Sequence, residues 1–368
     1  MNIPFFSFEH TTKEIRAEAL KVFEEFYDSQ WYVLGKFTTR FEEEYAQFNK
    51  VKHCVGVSTG LDALHLALRA LGIGKGDEVI VPSNTYIATV LAVSYTGATP
   101  VFVEPRWETC NINPELIAAA ITKRTKCIMP VHLYGQACEM DAIINIAEKH
   151  GLYVVEDNAQ AHGATYNGKL TGSFGHINAT SFYPTKNIGA LGEAGAVTTN
   201  DEALAEKVRV LRNYGSQERY YNQVIGYNNR IDEFEAAYLT IVLKKINEWN
   251  RQRASIAAEY RSVLESINGI ELTQLADKAT TVNHLFVIKT EKRDALREYL
   301  QKEGIGTQIH YPIPPHLQEA YKSLGYKEGD FPVAESLSKT CLSLPIWPGI
   351  KENEVVRVSK LIRKFYFE

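Results

Sequence analysis

The chain has too few cysteines, too irregularly spaced, for a disulfide framework or a thiolate metal site. The five present in 368 residues (Cys54, Cys110, Cys127, Cys138, Cys341) are odd in number and include no C-x-x-C pair. Several sit in apolar, strand-like contexts such as Lys126-Cys127-Ile128-Met129, so buried free thiols are expected. No apolar run approaches the ~20 residues of a membrane helix. The opening Met1-Asn2-Ile3-Pro4-Phe5-Phe6 has no basic stretch ahead of an apolar core, so it does not read as a signal peptide. An excess of one charge is also missing. A formal net charge of −4 leaves no basic footprint for nucleic acid or an anionic membrane. Repeats, low-complexity tracts and flexible linkers are absent. What remains, 45 % apolar and 23 % charged residues, is the balance of a globular protein, expected in the cytoplasm.

From about residue 50 to residue 200, short β-rich runs alternate with helical patterns. Strands are expected over residues 54–57, 79–81, 101–103, 127–131, 153–156, 179–183 and 195–198, with helices such as 61–68 and 141–150 between them. Near-continuous apolar strands alternating with helices predict an α/β domain whose mostly parallel sheet is buried on both faces. Functional residues then belong at the carboxyl ends of strands. Residues 233–267 read as one or two long helices. Strands at 283–289 and 305–309 follow, with helices at 292–303, 333–341 and 352–365. The expected division is a large domain, 1–249, and a smaller α+β domain, 250–368.

Two segments point to chemistry. Tyr153-Val154-Val155-Glu156-Asp157-Asn158-Ala159-Gln160 is an apolar strand ending in an acid, and Ser181-Phe182-Tyr183-Pro184-Thr185-Lys186 runs a strand into a lysine. Such a pair suits pyridoxal 5′-phosphate: the lysine forms the Schiff base, and the acid keeps the pyridine nitrogen protonated so that the ring withdraws electrons. Taken alone, a strand-end carboxylate or lysine is more often a cap or a solvated ion. The turn Ser58-Thr59-Gly60-Leu61 between a strand and an amphipathic helix offers free N–H groups to a phosphate, or equally an ordinary cap by Ser58 or Thr59. Ser181 can add a hydroxyl to the same phosphate. Tyr86, in a loop after the strand at 79–81, can stack on a flat ring, though packing is the plainer reading. Gln160 can donate an amide hydrogen bond to a phenolic oxygen.

Segments 56–68, 82–89, 130–136, 156–164, 181–196, 226–237 and 310–316, in this order and spacing, resemble those of the DegT/DnrJ/EryC1/StrS sugar-nucleotide aminotransferases. The resemblance runs from Trp31-Tyr32-Val33-Leu34-Gly35 to Leu344-Pro345-Ile346-Trp347-Pro348-Gly349. It implies the aspartate aminotransferase (type I) fold. By it, Lys186 is the Schiff-base lysine, Asp157 the partner of the pyridine nitrogen and Gln160 the neighbour of the phenolic oxygen. Tyr86 is the stacking ring, and Ser181 with Thr59-Gly60-Leu61 is the phosphate cradle. Asn228 would reach the phosphate from a second subunit, which implies a homodimer with shared active sites. L-glutamate is the implied donor.

Within the family, Arg212-Asn213-Tyr214-Gly215-Ser216-Gln217-Glu218-Arg219-Tyr220-Tyr221-Asn222 looks most like the subgroup acting on dTDP-linked 3-keto-6-deoxyhexoses, for surface polysaccharide or glycosylated natural products. Composition alone would make it a polar surface loop. Tyr183, Tyr214, Arg219, Tyr221, Arg230, His310 and Tyr311 are the expected substrate contacts. No metal is expected, because His310 and His316 have no ligands spaced with them. Where many members read G-D-G-G-A, this chain has Gly192-Glu193-Ala194-Gly195-Ala196, so Ala194 is expected to take on backbone angles that suit glycine. Three other readings stand beside this one: a C4 aminotransferase on a UDP- or dTDP-4-keto sugar, a deoxygenating dehydratase, and a sugar-nucleotide sensor without turnover. Lys186 argues against the dehydratase, whose relatives carry histidine there. The retained site residues and the missing output domain argue against the sensor.

Overall fold

The computed structural model describes residues 2–367. Its centre is a seven-stranded sheet formed by β1 (His53–Val57), β2 (Glu78–Pro82), β3 (Thr99–Val103), β4 (Thr125–Ile128) and β5 (Tyr153–Asp157), joined, after a small hairpin of β6 (Thr165–Tyr166) and β7 (Lys169–Leu170), by β8 (Ile177–Ser181) and β9 (Gly195–Thr199). The spatial order is β1-β9-β8-β5-β4-β2-β3. Strands β3, β2, β4, β5 and β8 run parallel, β9 is antiparallel to β8, and β1 is antiparallel to β9. This is the mostly parallel α/β architecture that the alternating pattern implies.

The strands are apolar on both faces because helices cover both. Alternate residues of one strand therefore enter different cores. Val79 and Val81 pack with Leu66 of α3 (Gly60–Ala70) and Val90 of α4 (Ile87–Tyr95), while Ile80 faces the other way onto Ile117 of α5 (Pro114–Ala120) and Ile143 of α6 (Met140–His150). The preceding helices α1 (Glu9–Ser29) and α2 (Lys36–Asn49) close a further core, and α7 (Glu202–Arg212) lies over β9. Two strands end earlier in the chain than expected. Strand β4 stops at Ile128, since Pro130 has no N–H to extend the ladder. Strand β8 stops at Ser181, where the chain turns into the loop that carries Lys186.

Beyond a hairpin of β10 (Ser216–Glu218) and β11 (Tyr221–Asn222), α8 (Glu233–Leu264) is a single helix of 32 residues. The division expected at 249/250 falls inside it. Leu239 and Ile246 pack beside the large sheet, whereas Tyr260 and Leu264 enter a separate core with Ile3, Phe286, Leu342 and Ile362. That core holds an antiparallel sheet of β12 (Glu271–Leu272), β13 (Phe286–Lys289) and β14 (Cys341–Leu344), with α9 (Arg293–Lys302); α10 (Pro332–Thr340) instead sends Ala334 into the core of the large sheet, and α11 (Glu352–Phe367) returns to the small one. Residues 305–309, expected as a strand, make only isolated bridges, Ile305 to Ile3 and Gln308 to Ser343. The N-terminal segment crosses there so closely that a side chain on Gly306 would meet the Phe5 amide at 2.5 Å. The strand comes instead from residues 341–344, just past the helix expected at 333–341. Among the described residues no helix is long and apolar enough to cross a membrane.

Candidate active site

A cavity of about 920 Å³ opens at the carboxyl edge of the large sheet. It gathers Lys186, Asp157, Gln160, Ser181, Tyr86 and the Thr59-Gly60-Leu61 turn, together with Tyr183, His310 and Tyr311.

Asp157 ends β5 and is buried. Its Oδ2 accepts from the Thr89 hydroxyl (2.8 Å) and its Oδ1 from the Ala159 amide (3.1 Å). Burial pushes its carboxyl above the usual range, while Thr89, the Ala159 amide and the charge of Lys186 pull the other way. Lys186 follows β8 by five residues, in a turn closed by its own amide donating to the Tyr183 carbonyl (2.8 Å). Burial brings its amine down to about 8, partly offset by Asp157. Among the described residues the two side chains form no ion pair with each other, and both line the cavity.

The turn expected to hold a phosphate lies where β1 enters α3. Thr59 is the N-cap, its hydroxyl oxygen accepting from the Asp62 amide (3.0 Å), and Ser58 donates to Asp62 Oδ2 (2.6 Å). A Cβ on Gly60 would lie 2.4 Å from that of Ser181, so only glycine lets β8 lie against the start of the helix. The amides of Gly60 and Leu61 therefore stand beside the Ser181 hydroxyl, which accepts from the Tyr183 amide (3.2 Å) and keeps its proton to donate. This neutral group of donors fits a phosphate, and the gap from it to Asp157 fits a flat ring.

The remaining expected contacts divide into two groups. Tyr86 caps α4 half-exposed, its ring centre 5.1 Å from that of Tyr311. Gln160 is engaged at both ends: its oxygen accepts from the Tyr134 amide (2.6 Å) and its amide donates to the Tyr311 hydroxyl (3.1 Å). Burial and the charge of Lys186 hold His310 down at about 4, so it is neutral. Tyr183 is exposed at the rim. In contrast, Tyr214, Arg219, Tyr221, Asn228 and Arg230 do not line this cavity. They cluster on and beside the β10–β11 hairpin, with Arg230 donating to Asn228 Oδ1 (2.7 Å) and lying over the Tyr214 ring at 5.0 Å. Tyr221 is largely exposed.

Two expectations meet local detail. Ala194 does not have a positive φ, so the turn needs no glycine there; its carbonyl accepts from the Phe182 amide (2.8 Å). All five cysteines are buried and free. The structure also adds residues that sequence reasoning missed. Thr89 orients Asp157. Beneath it, buried Glu156 accepts from His132 Nε2 (2.8 Å) and from the amides of Gly172, Phe174 and Gly175, anchoring the end of β5. Glu156 stands next to Asp157 in the quoted segment, but nothing local distinguishes an anchoring acid from an exposed one. His284, Gln308 and Phe6 also line the cavity.

The chain matches known proteins over its whole length. It is 48 % identical to the dTDP-3-amino-3,4,6-trideoxy-alpha-D-glucose transaminase of Streptomyces venezuelae, covering 99 % of this chain and 96 % of that one. It is also 48 % identical to the dTDP-3-amino-3,6-dideoxy-alpha-D-galactopyranose transaminase of Aneurinibacillus thermoaerophilus, over 99 % of both. Its fold superposes on the crystal structure of DesV from S. venezuelae in complex with a ketimine intermediate, with a TM-score of 0.98 at 47 % identity, covering 100 % and 99 % of the two chains. The family model for these enzymes matches residues 13–363, and the chain belongs to the DegT/DnrJ/EryC1/StrS aminotransferase family.

Proposed function

We propose that this protein transfers the amino group of L-glutamate to C3 of a dTDP-3-keto-6-deoxyhexose, with pyridoxal 5′-phosphate as resident cofactor. The observation that carries this reading is one cavity holding Lys186, Asp157 and the Gly60–Ser181 cradle, in a chain equally similar to two dTDP-sugar 3-transaminases. The cofactor, when bound, supplies an electron sink that makes the α-proton of an amine acidic. The chain's own residues do the rest. Asp157, held by Thr89 and Ala159, would accept a hydrogen bond from the ring N–H and keep that proton in place. The amides of Gly60 and Leu61 with the Ser181 hydroxyl hold the phosphate. Gln160 faces the phenolic oxygen, and Tyr86 covers one face of the ring. With the cofactor bound, Lys186 Nζ would be the group that takes the α-proton of the amine and returns it. An amine near 8 is well matched to that work at cellular pH.

In this reading Asn228, Tyr214, Arg219, Tyr221 and Arg230 act on the cavity of a second copy, which their absence from the lining of their own chain's cavity supports. The protein works in the cytoplasm, where its thiols stay reduced, and its product feeds a surface polysaccharide or a glycosylated natural product. Holoenzyme incubated with glutamate and a panel of 3-keto and 4-keto sugars, linked to dTDP or UDP, tests it, with products read by mass and proton NMR. A new C3 amine on a dTDP sugar is expected. Turnover of 4-keto UDP sugars alone would overturn the assignment, and turnover of none would favour the sensor.

A further inference from the structure

Arg253 carries a charge that the surrounding protein leaves unanswered. It lies on α8, is 2 % exposed, and donates a single hydrogen bond, Nη1 to the Ile346 carbonyl (3.1 Å). Its Nε has no acceptor, and among the described residues no carboxylate forms an ion pair with it. Burial lowers the guanidinium to about 10 with nothing acting against it, so it is still charged at neutral pH. A buried cation without a counter-ion is unfavourable, and an anion bound beside it would relieve that cost.

The room for that anion is present. Arg253 lines a second cavity of about 410 Å³, walled by Phe6, Tyr238, Val242 and Trp249. Lys186 lines both this cavity and the larger one, so the two meet at its side chain. An amino donor needs its amine at that lysine and a cation for its carboxylate. From its own chain the larger cavity provides no such cation: among the described residues Lys186 is the only lysine or arginine lining it, and its histidines, His284 and His310, are both held neutral by burial and by neighbouring positive charge. In the proposed function, Arg219 and Arg230 of a second copy are assigned to the nucleotide sugar. A guanidinium at one end, aliphatic and aromatic walls between, and Lys186 at the other end match a short dicarboxylic amino acid.

We propose that Arg253 and its cavity form the subsite for a carboxylate of the amino donor, leaving the larger cavity to the nucleotide sugar. The inference rests on the aminotransferase reading and is separable from it, because it can be tested by binding without turnover. Glutarate, which has both carboxylates and no amine, is titrated into the cofactor-loaded protein by calorimetry. Wild-type protein is expected to bind it, and glutarate is expected to compete with glutamate but not with the nucleotide sugar. In R253Q the dissociation constant for glutarate and the KM for glutamate should each rise by about tenfold or more, with the KM for the nucleotide sugar unchanged and R253K partly restoring both. Unchanged glutarate affinity in R253Q, or no binding to wild type, would overturn the proposal. Should R253Q fail to fold, a crystal structure of wild type with glutarate decides: a carboxylate on Arg253 supports it, and one bound elsewhere refutes it. Wild type that shows no spectral response to glutamate, yet binds glutarate at Arg253, would count against the aminotransferase reading only.

Discussion

Lys186 and Asp157 divide the work at the smallest scale, and each gives a prediction. Lys186→Ala is expected to retain cofactor without a covalent link and to lose roughly 10³-fold in turnover, because one group both anchors and shuttles the proton. Absorbance of the bound cofactor and steady-state kinetics check this, and near-normal turnover would remove the lysine from its role. Asp157→Asn should lower turnover by roughly 10²-fold while the cofactor stays bound, since the phosphate cradle is separate from the ring contact. The Lys186 amine also sets a pH dependence. Only the neutral amine attacks an aldehyde, and burial brings its pKa from 10.5 to about 8. Covalent capture of pyridoxal phosphate by the cofactor-free protein should therefore accelerate with rising pH and level off just above about 8. A midpoint near 10, as for a solvated lysine, would contradict the burial.

At the scale of elements, the start of α8 holds two acids with opposite consequences. Glu233 reaches back to α2, its carboxylate accepting from the amides of Gly35 (2.8 Å), Phe37 (2.9 Å) and Thr38 (2.8 Å). It thereby answers the free N–H groups of a helix whose own N-cap is a glycine. Glu233→Ala would strand those buried donors and is expected to cost about 3 kcal/mol in urea unfolding. Glu235 is instead burdened by burial and by nearby Asp232, which raise its carboxyl from 4.5 to about 7 although the Leu191 amide donates to it. The folded state then holds the proton more tightly than the unfolded one, so this group's stabilisation is present below about 4.5 and lost as pH rises through about 7. Glu235→Gln should match wild type near pH 5 and exceed it by on the order of 2 kcal/mol near pH 8. Parallel pH profiles for the two proteins would show that Glu235 does not titrate in this window.

For the whole molecule, the decisive feature is that the residues around Asn228 do not line the cavity around Lys186 on their own chain, although Asn229 accepts from the Ser58 amide (3.2 Å) at its border. If the first completes the second on a partner copy, two crippled variants should rescue each other. Lys186→Ala and Asn228→Asp, the latter bringing a negative charge to the phosphate, are each expected to be nearly inactive. Unfolded together and refolded at equal ratio, they should regain about a quarter of wild-type activity, because half the dimers are mixed and each mixed dimer has one intact site. Sedimentation at twice the chain mass should accompany it. No regain would place Asn228 outside the shared site.

The sequence by itself determined the main architecture and the candidates for the chemistry. A Schiff-base lysine, a ring-nitrogen acid and a phosphate turn must be particular residue types at strand ends, and doubly buried strands alternating with helices leave a recognisable apolar pattern. That is why Lys186, Asp157, Ser181 and Thr59-Gly60-Leu61 were legible as candidates that then fell into one cavity, as was the mostly parallel sheet. Only the tertiary structure decided what depends on contacts distant in the chain. Thr89 hydrogen-bonds Asp157 across 68 residues, and Glu233 caps α2 from nearly 200 residues away. Residues 305–309 lost their strand to the crossing N-terminus, and Ala194 needed no glycine geometry because its turn closes on Phe182. Arg253 shows the limit most clearly. In sequence it is one more basic residue on a long helix, and only burial without a counter-ion, beside a cavity that reaches Lys186, gives it a purpose.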